Sequence, residues 1–254
     1  MVPFVVLTVG ILVILTIVIA AVLLAPRLLP RRVNVDDAPD QPQPFGSEMS
    51  WLAVKTDDVQ RLAAVLGLEI RPANWNSGLG AIYDLELADA FVFITPPIGG
   101  WTIVAGVSLP LPADGAFIDK TGPLLQRLGS QFAQVQYFAT FPIIDFYAWA
   151  RFENGWPVRA FAVGEAGVVW DAGDRTLEEQ RLGLSMIEIR GIRNREGDIG
   201  GELQLHPTEG HVLSVAEGWS VNPMTIGSLA ADAGVGWVAY APQAWHAERL
   251  SAAA

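Results

Sequence analysis

Two histidines, His206 and His211, bracket Pro-Thr-Glu-Gly, and paired acids occur at Asp57-Asp58 and Glu178-Glu179. A zinc-hydrolase helix needs its histidines four apart with Glu directly after the first, so that both rings reach one metal from one helix face. Here the histidines are five apart, a proline follows the first, and the Glu sits at another offset. These residues read as a loop and a helix start, and His246 stands without a partner in the pattern. The acid pairs have a simpler reading. Asp57 precedes Val59, Leu62, Ala63 and Leu66, an apolar helical period, where an acid caps backbone N–H groups and opposes the helix dipole. Thr176 and Glu179 have the spacing of a capping box. No G-x-S-x-G elbow, phosphate-cradling loop or dinucleotide fingerprint occurs, and Gly78-Leu79-Gly80 is only a fragment of the last. The chain has no cysteine, which excludes disulfides, thiolate nucleophiles and thiolate metal sites. No metal or cofactor is expected, and no catalytic residue is assigned. Two separated carboxylates need no adjacency in sequence, so a hydrolase with a dispersed Asp/Glu site stands as the alternative function.

The residues with most to say are Arg159, Trp156 and Trp149. Asn154-Gly155 is a strong two-residue hairpin signal, and it joins apolar-rich runs at 144–153 and 156–163. A two-residue loop predicts Glu153 opposite Trp156, Arg151 opposite Val158 and Trp149 opposite Ala160. Arg159 then projects from the face that carries Phe152, Phe161 and Val163. A guanidinium in apolar surroundings needs an acid, with Glu165 or Asp145 as candidates, or a ligand. Trp156 flanks the turn and is the best exposed aromatic candidate. Nine tryptophans are many for 254 residues. Trp101, Trp149, Trp156 and Trp170 lie on or beside expected strands, where they pack a core or form a binding platform. Arg159, Trp156 and Trp149 are therefore the candidate binding residues.

Several elements must position them. Strands are expected at 50–54, 91–95, 101–106, 134–140, 144–153, 156–163 and 168–170. Helices are expected after Asp57, ending at Gly67, and at 123–132, 176–182 and 207–218. Residues 72–80 read as a loop. The expected fold class is α+β: an N-terminal single transmembrane helix followed by a domain with a mainly antiparallel sheet and two or three helices packed on one face. The boundaries are an anchor over 1–26, a Pro-rich extended linker over 27–47, the domain over 48–226, and an Ala/Gly-rich, loosely packed tail over 227–254.

The anchor rests on composition. The first charged side chain is Arg27, and residues 2–25 are almost wholly apolar. Twenty-four helical residues span roughly 36 Å, more than the roughly 30 Å hydrocarbon core. A cleaved signal peptide fits less well: there is no basic n-region, the apolar run is too long, and no clear cleavage site follows. Arg27, Arg31 and Arg32 follow the span, and by the positive-inside rule they hold the C-terminal side in the cytoplasm rather than the periplasm or exterior. After residue 32 the chain carries 13 basic against 27 acidic side chains, which argues against nucleic-acid binding and suits a basic protein partner. Arg outnumbers Lys 14 to 2, which with the Ala, Gly and Pro content suggests a GC-rich bacterial source. The expected function is a membrane-tethered, non-enzymatic protein-interaction module: an inhibitor, an immunity-type factor or an assembly factor.

Overall fold

Two inner strands are buried at consecutive positions, not alternate ones. Met49–Val54 (β1) and Phe91–Ile94 (β3) are buried at every residue. A strand of that kind requires cover on both faces of its sheet. The computed structural model describes residues 15–16, 35–113, 117–165, 167–184, 207–229 and 232–248. Val35–Ala254 forms one compact unit, separate from 1–34.

That unit is α+β. Its described strands number nine: β1, Arg71–Asn74 (β2), β3, Thr102–Ala105 (β4), Gln134–Phe141 (β5), Phe146–Glu153 (β6), Trp156–Gly164 (β7), Gly167–Ala172 (β8) and Val235–Tyr240 (β9). They form one sheet in the order β2-β9-β3-β4-β1-β5-β6-β7-β8, and every neighbouring pair is antiparallel. Five α-helices are described: Val59–Leu66 (α1), Trp75–Tyr83 (α2), Thr121–Gly129 (α3), Leu177–Arg181 (α4) and Glu209–Trp219 (α5).

Strand alternation divides the core in two. On the first face Leu52, Val54, Val104, Val135, Tyr137 and Ala148 pack with Leu62 and Leu66 of α1 and Leu124, Leu125 and Leu128 of α3. On the second, Trp51 stacks on Phe138 at 5.2 Å, and Phe138 meets Trp219 of α5 at 5.7 Å. Trp75 of α2 approaches Phe93 edge-on at 5.5 Å. Helices thus cover both faces, not one, as the continuous apolar strands demand.

Local signals explain the helix ends. Asp58, not Asp57, caps α1 by accepting from the Arg61 N–H at 2.9 Å, and Gly67 ends it in the left-handed region at φ 73°. The 72–80 segment, expected as a loop, is the end of β2 followed by most of α2. Asn74 accepts from the Ser77 N–H, and the Asp40 carboxylate accepts from Trp75 and Asn76 at 2.7 and 2.9 Å. Glycine is what disguised this helix. A Cβ on Gly78 would lie 2.1 Å from the Phe93 ring, so the residue that weakens the helical pattern lets the helix approach the sheet.

Two expected boundaries also move. The loose tail from residue 227 contains β9, which sits inside the sheet between β2 and β3. From Asp36 onward the expected free linker lies on the domain: Asn74 N–H donates to the Asp36 carbonyl, Asp40 bridges Gly234, and Phe45 is buried. Among the described residues no helix is long and apolar enough to cross a membrane, and the expected anchor lies outside them except for Leu15 and Thr16, which are helical.

Candidate functional site

Asn154-Gly155 forms the expected turn, with Asn154 at φ 49° and Gly155 at φ 84°, and Glu153 pairs with Trp156. The register then changes. Phe152 pairs with Pro157, Arg151 with Arg159, and Trp149 with Phe161, so Val158 is an extra, unpaired residue in a β-bulge. The bulge follows a proline, which has no N–H to give the ladder. It turns Arg159 onto the face of Trp149 and Phe161, away from Phe152, which belongs to the first core.

Arg159 is 2 % exposed and its partner Glu179 is 1 % exposed. Its Nε donates to both Glu179 oxygens, at 2.9 and 3.1 Å. One terminal nitrogen donates to Asp171 at 2.7 Å and to the carbonyls of Ala160, Ala172 and Gly173. Glu179 also accepts from the Trp149 indole at 3.0 Å and from the Thr176 N–H at 2.8 Å, the latter as half of a capping box that opens α4. The partners are thus Glu179 and Asp171, not Glu165 or Asp145. The sequence-level pattern marked Glu179 as a cap and Arg159 as a buried cation; only the bulge brings them together. The cluster joins Arg159 and Trp149 in a knot that ties β6, β7, β8 and α4. It is a closed structural centre, not an open pocket.

Trp156 stands apart, three residues along the strand. It is 76 % exposed beside the turn, with Val158 also exposed. Strand β8 pairs with the other half of β7, Ala160–Gly164, and its far side is an edge of the sheet among the described residues. This edge is six residues long and contains neither Pro nor Lys, two residues that usually protect an edge from pairing. Val168 on β8 and Leu177 just beyond are exposed.

The other residues considered for chemistry lie elsewhere. Trp101 is buried under Lys55, whose Nζ is 4.9 Å from the ring. Glu178 accepts from the Trp219 indole at 3.2 Å. His206 is outside the described residues. His211 opens α5, where its Nδ1 accepts from the Thr208 N–H at 3.1 Å, and burial lowers its pKa from the usual value. Among the described residues no three His, Asp or Glu side chains gather as metal ligands do.

One feature had no sequence signal. On the first face, Val107–Ala113 after β4, together with the start of β6 and the end of β7, borders an open cavity of about 520 Å³. Leu109, Leu111, Phe146, Val169 and Trp245 line it, and Asp89, Lys120, Glu165 and His246 stand among its lining residues. The loop is firmly held. The Pro110 carbonyl accepts from the buried hydroxyls of Tyr137 at 3.0 Å and Thr121 at 2.9 Å, and Ser108 donates to the Phe91 carbonyl at 2.8 Å. Burial pushes the Tyr137 pKa far up, so this donor keeps its proton at any working pH.

Comparison with known protein families, with curated proteins and with solved structures finds no match.

Proposed function

We propose that this chain is a membrane-tethered, non-enzymatic interaction module that receives an extended basic segment of a partner protein along β8. The observation that carries this reading is the edge that β8 presents among the described residues, on the same hairpin arm whose turn end carries the exposed Trp156. An added strand would gain main-chain hydrogen bonds from the edge, and one that runs on past Ala172 toward the turn would reach Trp156, the large aromatic contact on which interface energy concentrates. Charge selects the partner: after residue 32 acids outnumber basic side chains 27 to 13, so a basic segment is attracted and an acidic one repelled. Around Arg159 the converging acids and the guanidinium satisfy one another.

The tether is the apolar run over 2–25, and the flanking arginines favour a cytoplasmic domain. From Asp36 onward the expected linker is held on the domain, so the free spacer is shorter than the 27–47 its composition suggests. Such a module works close to the bilayer, as an inhibitor, immunity-type factor or assembly factor for a protein that is itself at the membrane.

The test uses the full chain in lipid nanodiscs with a photo-crosslinking residue at Val168. A basic protein should crosslink there through a β-strand segment and co-purify stoichiometrically. Trp156→Ala and Val168→Lys should each weaken its binding by about tenfold, a hot-spot loss and an edge-charge repulsion respectively. Crosslinks confined to another face, or reproducible turnover of a substrate by the same protein, would overturn the reading.

A further inference from the structure

The cavity on the first face is distinct from the outer edge of β8, and its chemistry points to a different ligand. We propose that it binds a small apolar molecule carrying one protonated amine. Its volume of about 520 Å³ falls within the roughly 300–1,000 Å³ typical of small-molecule sites. Its walls are aliphatic and aromatic, which suits an apolar body.

The first part of the wall loop, Val107–Pro112, is preorganised. Pro110 and Pro112 have fixed φ, and the doubly accepted Pro110 carbonyl pins the loop to β5 and to α3. A ligand entering such a site does not have to order it first.

The charged groups set the sign of the polar end. Lys120 is already paired with Glu248 at 3.1 Å, so this cation is compensated within the protein. Asp89 and Glu165 are exposed and make no hydrogen bond or ion pair among the described residues. Among the described lining residues the uncompensated charge is therefore negative. An ammonium group is attracted there and a carboxylate repelled, while Phe146 and Trp245 add aromatic surface to the lining.

Three probes of matched shape decide the matter: 4-phenylbutylamine, 4-phenylbutanol and 4-phenylbutyrate. Each is titrated by calorimetry into the full chain in nanodiscs, with empty nanodiscs as the blank. The amine should bind saturably at one per chain, and the carboxylate at least tenfold more weakly. Asp89→Asn combined with Glu165→Gln should weaken the amine at least fivefold and leave the alcohol unchanged. Val169→Phe, which fills the cavity from β8, should abolish amine binding. If its melting temperature falls, Ile144→Trp at the exposed rim serves as the second blocking variant. Absence of saturable amine binding, equal binding of amine and carboxylate, or amine binding untouched by a folded blocking variant would each overturn the proposal. None of these outcomes depends on whether a protein pairs with β8.

Discussion

Arg159 shows how one side chain can be read correctly in type and wrongly in place. Its burial was legible, because a guanidinium three residues from a hairpin turn and among apolar neighbours has to find acids. Its partners were not legible, because the bulge at Val158 shifts the register by one residue and aims it at Glu179. The buried pair has a measurable consequence. Arg159→Met leaves the Glu179 carboxylate buried with only the Trp149 and Thr176 donors. Removing one member of a buried pair costs about 3–5 kcal/mol. Urea unfolding should show a loss of that order, while the folded fraction keeps whatever binding Trp156 supports. His211 makes a smaller, pH-dependent contribution. Burial lowers its folded pKa below the ordinary 6.5, so the neutral ring is the stabilised form. That stability is fully present above the unfolded value and is lost as pH falls from about 6.5 toward the folded value. Protonation also removes the Nδ1 acceptor from the Thr208 N–H. His211→Gln keeps an acceptor at this capping position without the titration. Thermal melts at about pH 7.5 and about pH 5 should therefore show a larger drop for the native chain than for the variant. Equal drops would contradict the argument.

Glycine decides what was readable among the elements. The amphipathic helices α1, α3 and α5 and the hairpin are plain in the sequence, because apolar period and turn chemistry agree there. The helix α2 and the strand β9 are not. Both carry glycines that look like breakers, and both glycines face the same buried ring: a Cβ on Gly78 would lie 2.1 Å, and one on Gly236 2.6 Å, from atoms of Phe93. Sequence pattern reports the propensity of a residue and not the neighbour that requires it to be small. The two effects oppose each other at Gly78, which makes it a clean test. Alanine in a helix interior gains about 1 kcal/mol over glycine. Overpacking a fixed aromatic ring loses about 1–3 kcal/mol. Phe93 is fully buried and has Trp75 against it, so it has little room to turn aside. Gly78→Ala should therefore lower the melting temperature. A rise would mean that the ring yields and propensity wins.

At the scale of the whole molecule, the informative boundary is where the chain joins the domain. Prolines and acids over 30–47 read as a free spacer, and composition offers no means of telling a spacer from a strap. The difference lies in two residues. Asp40 caps α2 through both carboxylate oxygens, and Phe45 is buried with its N–H donating to the Pro223 carbonyl. Burying a phenyl side chain is worth about 1.5–3 kcal/mol and a helix cap about 1 kcal/mol. A chain that starts at Val35 retains both contacts and should unfold at the same urea concentration as the full chain. A chain that starts at Glu48 loses both and should be less stable by about 3 kcal/mol, a large share of the 5–15 kcal/mol typical of domains. Phe45→Ala in the full chain should reproduce most of that loss, which separates the lost contacts from truncation itself. If the chain from Glu48 is as stable as the chain from Val35, residues 36–47 are a spacer after all, and the reach available to the binding edge grows by about 43 Å of extended chain.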